Sequence, residues 1–391
     1  MDSIKQLDDA YVAHTYAPRF PVVLTGGKGS LLFGEDGWEY IDMGSGIGVN
    51  AFGACDEVWQ KAVSEQAAKL QHTSNLYYTE PCARLAQALC ERTGMKQVFF
   101  SNSGAEANEC AIKVARKYGA EHLGPEHYTV LTLKNSFHGR TLATLAATGQ
   151  DVFHKDFLPL TPGFAYVEAG DLEGAKNILD SVPCCAVLLE TIQGEGGVQV
   201  MEPSFVAGLA RLAAERGLLL MVDEVQTGNG RTGKLFGYMH YGLSPDVITT
   251  AKGLAGGLPL GATLLGGKAA GVLTPGSHGS TFGGNPVCCA GALTVLERLS
   301  DDFLAQVTAK GAWVRSQLEG APGVVSVSGL GLMLGVETRR DAGEVLAGCQ
   351  ARGVLPLRAK NKVRLLPPLN IPDNLLAQAV QVLREECAKQ I

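Results

Sequence analysis

No stretch of this 391-residue chain approaches the roughly 18 consecutive apolar residues that a membrane-spanning helix needs, so a helical membrane protein is excluded. The opening residues, Met1-Asp2-Ser3-Ile4-Lys5-Gln6-Leu7-Asp8-Asp9, lack the basic start and apolar run of a secretory signal. A soluble, cytoplasmic protein is expected. Basic residues are not in excess: Lys and Arg number 33 against 39 Asp and Glu, a net charge of −6, which makes nucleic acid a poor partner. The 10 cysteines include no C-x-x-C pair and no histidine spaced to complete a zinc site, so no metal is expected and reduced, buried thiols are. Proline does not rise with the 49 glycines and the glycines are not periodic, which excludes collagen-like and low-complexity chains. Abundant glycine points instead to tight turns and to backbone brought close to a ligand. G-x-S-x-G, the P-loop pattern and H-E-x-x-H are also absent, removing the main support for serine hydrolases, P-loop NTPases and zincins.

The length suits two to three domains of about 150 residues. From about residue 95 to 267, short apolar runs alternate with helical stretches: 98–100, 130–133, 186–189, 218–222, 247–250 and 262–265. Runs without polar alternation mark strands buried on both faces, so an α/β layout around a mostly parallel sheet is expected. After Val98-Phe99-Phe100 a polar turn leads into a helix that Gly119 is expected to close. Beyond Pro286 the pattern changes to helices near 288–299 and 302–319, strand-like runs at 324–327 and 332–336, and a last helix from about Asn374 to Ala388.

Two glycine motifs are decoys. Gly228-Asn229-Gly230-Arg231-Thr232-Gly233 matches the dinucleotide fingerprint in letters, and Gly46-Ile47-Gly48-Val49-Asn50-Ala51 its looser form. The fingerprint works only where the first glycine follows a strand directly and the last opens a helix. Asp223-Glu224-Val225-Gln226-Thr227 stands between strand and glycine, and Lys234-Leu235-Phe236-Gly237-Tyr238 does not read as a helix start.

Three features fall at the carboxyl ends of what read as successive strands, where open parallel sheets bind ligands: Asp223, Lys252 and Ser103-Gly104-Ala105. Singly, each has a plain explanation as surface lysine, turn acid or helix cap. Together they meet the needs of pyridoxal 5′-phosphate: an amine for a Schiff base, an acid for the ring nitrogen, and helix N-terminal N–H groups for the phosphate.

The chain resembles the class-III pyridoxal-phosphate aminotransferases of fold type I, and within them the acetylornithine aminotransferases. The matching segments are 101–109, Phe137-His138-Gly139-Arg140-Thr141, Ile192-Gln193-Gly194-Glu195-Gly196-Gly197, Asp223-Glu224-Val225-Gln226-Thr227-Gly228, Ala251-Lys252-Gly253 and 279–286, in family order. The resemblance implies a large cofactor-binding domain with a mixed, mostly parallel sheet over residues 51–286. A smaller α+β domain would be formed by 1–50 and 287–391. It implies that Lys252 carries the cofactor and then moves a proton between the substrate carbon and the cofactor, and that Asp223 pairs with the ring nitrogen. Ser103, Gly104, Ala105 and Glu224 would belong to the cofactor's surroundings. Phe137 and Val225 would take the two ring faces and Gln226 the ring hydroxyl. Thr281 would reach the phosphate of the neighbouring subunit, which makes the expected assembly a homodimer with shared active sites.

Charge narrows the substrate. Glutamate and 2-oxoglutarate carry two carboxylates, which a guanidinium grips through paired hydrogen bonds, so two arginines are expected. Arg364 and Arg140 stand at the family positions, for the carboxylate beside the reacting carbon and for the remote one. N-Acetylornithine reacts through a terminal amine with no neighbouring carboxylate, so an unpaired Arg364 would face methylenes at a desolvation cost. Glu195 stands where the family keeps a gate for that arginine. Ser280 is expected near the acyl end, and Tyr16 is expected to close the site from the N-terminal segment. Thr191 stands where the family commonly has proline, and Asn229 where it has a hydrophobe between Gly228 and Gly230. The expected reaction moves the terminal amino group of N2-acetyl-L-ornithine to 2-oxoglutarate. The alternatives are N-succinyldiaminopimelate or succinylornithine, free ornithine and 4-aminobutyrate as donors, or an aminomutase.

Overall fold

The computed structural model describes residues 3–17 and 19–389. Its centre is a seven-stranded sheet in the order Gln97–Ser101, Gly261–Leu265, Val247–Thr250, Leu219–Asp223, Cys184–Leu189, Thr129–Leu133, Phe164–Val167. All six apolar runs are strands here. Every residue of Thr129–Leu133, Cys184–Leu189, Leu219–Asp223, Val247–Thr250 and Gly261–Leu265 is buried, as expected where helices cover both faces. The strands from Val247–Thr250 to Phe164–Val167 run parallel, whereas Gly261–Leu265 is antiparallel to both its neighbours.

That reversed strand corrects one expectation. The strand before Ser103 is separated from the strand before Lys252 by Gly261–Leu265, so the three features do not follow neighbouring strands. They still share the carboxyl edge, because two antiparallel pairings restore the direction. Close approach across the inserted strand requires glycine at 261: a Cβ there would lie 2.3 Å from the Ser103 carbonyl oxygen.

The helix after the polar turn is Gly104–His122, capped by the Ser103 side chain accepting from Glu106 N. Gly119 does not end it. A Cβ at 119 would meet the His127 carbonyl oxygen at 2.0 Å and Cys185 Cβ at 2.6 Å, so this glycine serves helix-to-sheet packing. Cys110, Ala111, Val114 and Ala115 from the helix bury one sheet face with Ala186, Leu188, Met221 and Val247. Each fully buried Val or Leu of this kind contributes about 1.5–3 kcal/mol.

An N-terminal and a C-terminal segment pair in one sheet. The sheet of Leu24–Lys28, Leu31–Gly34 and Glu39–Asp42 is completed by Val354–Leu355, parallel to Glu39–Asp42. An antiparallel sheet of Val324–Leu330, Met333–Thr338, Lys362–Leu365 and Leu357–Ala359 follows, with helices Asp301–Leu318, Ala342–Gln350 and Asp373–Ala388. Helix Pro286–Arg298 packs on Glu57–Lys69 and Glu80–Thr93. Arg298 pairs with Asp56 at 2.9 Å, and a Cβ on Gly291 would be 2.8 Å from Trp59 Nε1. We therefore propose to draw the boundary of the small lobe near residue 299, after this helix. No helix among the described residues is long and apolar enough to cross a membrane.

Candidate active site

Asp223 is the last residue of its strand and is 4% exposed. Its Oδ2 accepts from Asn108 Nδ2 at 2.7 Å and lies 2.8 Å from His138 Nδ1, while Oδ1 accepts from Val225 N at 2.9 Å. Asn108 is itself fixed. Its Oδ1 accepts from Thr249 Oγ1 at 2.7 Å, and its Nδ2 also donates to the His138 carbonyl at 2.8 Å. A helix, a loop and a neighbouring strand thus orient one carboxylate, each satisfying part of its hydrogen-bonding need.

Lys252 follows the adjacent strand and opens a short turn, Lys252–Ala255, with its own φ at +42°. A non-glycine residue there is in the sparsely occupied left-handed region, at a cost of order 1–3 kcal/mol. Its Nζ makes no hydrogen bond among the described residues. Burial pushes the amine below the usual lysine range and Arg364's charge acts the same way, against the opposing pull of Glu195, Asp223 and Glu190.

Both side chains open on a cavity of about 480 Å³. Ser103, Gly104 and Ala105 line one end of it. The backbone N–H groups of Gly104 and Ala105, at the start of a 19-residue helix, suit an anion such as a phosphate. Gly104 is obligatory: a Cβ would lie 2.6 Å from Val225 Cγ1, so only glycine lets this helix end seat against the loop after Asp223. Phe137, Val225 and Gln226 also line the cavity, with Glu190 beneath. Glu224, next to Asp223, faces away. It accepts from Gly237 N, Tyr238 N and Thr227 Oγ1, a structural role that departs from its expected place beside the cofactor.

Arg364 and Glu195 meet. Arg364 Nη1 donates to Glu195 Oε1 at 2.5 Å and to Gln226 Oε1 at 3.0 Å, and Gln226 Nε2 donates to Glu195 Oε1 at 3.3 Å. Burial works to raise the Glu195 carboxyl, but Arg364's charge and hydrogen bond outweigh it and hold the group below the usual carboxylate range. Arg364 Nε is buried and has no hydrogen-bond partner among the described residues. The amide of Gln226, expected on the cofactor's ring hydroxyl, is engaged here with the arginine and the glutamate.

Arg140 is different. It lines the cavity and makes no hydrogen bond or ion pair among the described residues, its guanidinium lying 4.1 Å from the ring centroid of Phe153 and 5.6 Å from that of Phe137. Ser280 is tied to the cavity rim by Asn102 Nδ2 at 3.3 Å. Thr281 is exposed and is not among the residues lining this protomer's cavity. Tyr16 is 74% exposed, under the Arg19 guanidinium in the N-terminal segment, and does not line the cavity either.

His138 and Asn108 fall inside the matching segments with no role of their own, and Glu190 and Phe153 lie outside them. Glu190 accepts from Phe137 N at 2.8 Å and Gly194 N at 3.3 Å, and burial pushes it up to about 7. The available signal was a polar residue within an otherwise buried stretch. It could not say which partners would meet it.

Comparison with known proteins agrees with this geometry. The family model for class-III aminotransferases matches residues 11–386. An acetylornithine aminotransferase from Haemophilus ducreyi is 51% identical over 386 residues, covering 98% of each chain. One from Aquifex aeolicus is 43% identical, covering 96% of this chain and 99% of its own. Among solved structures, the ornithine aminotransferase of Toxoplasma gondii superposes with a TM-score of 0.93 at 32% identity, covering 98% of this chain and 94% of that one. The N-acetylornithine aminotransferase of Stenotrophomonas maltophilia gives 0.84 at 34% identity, covering 98% of both. With the match running through nearly every element described above, the chain belongs to the class-III aminotransferases.

Proposed function

We propose that the protein moves the terminal amino group of N2-acetyl-L-ornithine to 2-oxoglutarate, giving N-acetyl-L-glutamate 5-semialdehyde and L-glutamate, a step of arginine biosynthesis. The carrying observation is the contrast between its two arginines. Arg364 is masked by Glu195 at 2.5 Å, whereas Arg140 lines the cavity with no anionic partner among the described residues. A donor whose reacting carbon bears no carboxylate needs the first arginine neutralised and the second free. Glutamate needs both, and Glu195 would give way to its α-carboxylate.

Class-III aminotransferases use pyridoxal 5′-phosphate, and the residues present fit it: an unbonded amine, a carboxylate with three donors, free helix N–H groups and a cavity of about 480 Å³. When bound, it supplies an aldehyde that condenses with amines and a ring that accepts the electron pair of a broken C–H bond. Lys252 would bond it and afterwards carry the proton at the reacting carbon, helped by burial that keeps its amine below the usual range. Asp223 would hold the ring nitrogen's proton, with Ser103, Gly104 and Ala105 taking the phosphate. Phe137 and Val225 would flank the ring, Arg140 would bind the remote carboxylate, and Ser280 would lie near the acyl group.

A homodimer is supported by Thr281, which is exposed and does not line the cavity of its own protomer. Leu76, Tyr77, Tyr78 and Phe282 are exposed as well, large apolar or aromatic side chains that contact with a second copy would cover. Across that interface Thr281 would complete the partner's phosphate site. All ten cysteines are free, in keeping with a reducing, cytoplasmic setting.

Turnover of acetylornithine, N-succinyldiaminopimelate, ornithine and 4-aminobutyrate tests the substrate. Acetylornithine is expected to have the highest kcat/KM. A tenfold preference for any other, about 1.4 kcal/mol in transition-state binding, overturns the choice. Borohydride treatment should erase the visible absorption and leave its label on the peptide carrying Lys252.

A further inference from the structure

Asn229, the residue that departs from the family's hydrophobe, is buried beneath the turn that carries Lys252. Its backbone is left-handed, φ +57°, a region that asparagine tolerates better than a branched hydrophobe would. The side chain points at the end of the neighbouring strand. Nδ2 donates to Thr250 Oγ1 at 2.9 Å and to the Ala251 carbonyl at 3.1 Å. Leu254 N donates to that same carbonyl at 2.9 Å. The loop and the turn are neighbours, since a Cβ on Gly253 would lie in van der Waals contact with Asn229 Cβ at 3.4 Å.

The Ala251 carbonyl belongs to the peptide group joining Ala251, at φ −166° and ψ −136°, to Lys252, at φ +42°. Rotation of that peptide plane is the simplest way for Lys252 to leave its strained φ, and it would break the turn that the Ala251 carbonyl closes with Leu254 N beneath the lysine. Two donors on one carbonyl oppose the rotation. A hydrophobe at 229 could fill the space but could not donate. We infer that Asn229 is a positioning residue: its amide holds the 250–252 peptide so that Lys252 stays in its left-handed conformation with the amine over the cavity. This rests on Lys252 being the cofactor-bonding lysine.

Asn229→Asp keeps the shape and exchanges the donor for an acceptor; Asn229→Gly keeps the backbone and removes the side chain. Thr250→Val removes one acceptor without touching the loop. In purified holoenzyme, each Asn229 variant is expected to release cofactor about fivefold faster or more, and to move the pH midpoint of the visible band. kcat should fall by a like factor with both substrates and KM change less than about twofold. Thr250→Val should show the same changes at smaller size, and decides the matter if the Asn229 variants do not fold. Unchanged release and midpoint in variants of native melting temperature overturn the inference. So does a loss of activity that only tracks a lowered melting temperature while the midpoint stays in place. The borohydride peptide map of the unmodified protein separates the two ideas: a label away from Lys252 sinks the cofactor reading itself, whatever Asn229 does.

Discussion

His138 Nδ1 lies 2.8 Å from Asp223 Oδ2, both side chains being nearly inaccessible to solvent. One oxygen of the carboxylate is thus held by an imidazole from a loop and by the Asn108 amide from a helix, while its other oxygen takes Val225 N. Hydrogen bonds to a charged buried group are each worth about 1.5–3 kcal/mol. Replacement of His138 by Asn, which cannot span the gap, is expected to lower kcat about tenfold or more and to weaken cofactor retention. Single-turnover kinetics and cofactor titration check this; unchanged values would remove His138 from the machinery around Asp223.

Glu195→Gln leaves Arg364 without a neutralising charge. The half-reaction with acetylornithine should lose more than that with glutamate, because only the former needs the arginine masked. The ratio of the two losses is expected to be about tenfold, as for one partly buried charged interaction. Equal losses refute the gate.

Phe153 supports Arg140 through a cation–π contact at 4.1 Å, an interaction worth about 0.5–2 kcal/mol. Phe153→Leu should therefore raise KM roughly threefold to tenfold for substrates with a remote carboxylate, with kcat little changed. Phe153→Tyr should restore it. A fall in kcat at constant KM would place Phe153 in the chemistry instead.

Burial pushes the Glu224 carboxyl from the ordinary 4.5 up to about 7, even with Thr227, Gly237 and Tyr238 donating to it. A raised folded-state value means that the folded protein holds the proton more tightly than the unfolded chain. That contribution is complete below 4.5 and is lost as pH rises through 7, a change of about 3 kcal/mol at ~1.4 kcal/mol per unit. Relative to Glu224→Gln, which cannot titrate, the unmodified protein should lose melting temperature between pH 5 and pH 8. Parallel curves for the two proteins would show that Glu224 does not titrate in that window.

Part of this molecule was legible in its order of residues. The apolar runs without polar alternation are strands, because a strand covered on both faces leaves no position for water-seeking side chains. Lys252, Asp223 and Gly104 stood out because each falls where a strand ends. Gly119 misled, since a glycine near a helix end looks like a stop signal whether it terminates the helix or lets it press on a sheet. The helix 286–298 is legible as a helix, whereas its packing on 57–69 and 80–93, which supports placing it with the larger body, depends on contacts that its own sequence does not name.

The chain by itself determined that an amine, an acid and a helix N-terminus would gather at one sheet edge, because these depend on local patterns that survive without knowledge of neighbours. Tertiary structure alone decided which buried polar groups meet. Asn108 reaches Asp223 across 115 residues and Arg364 reaches Glu195 across 169, separations that only the order of the strands and the packing of the 301–389 segment can close. The conformation of Lys252 is decided the same way, since a strained φ persists only where neighbouring elements such as the Asn229 loop hold it.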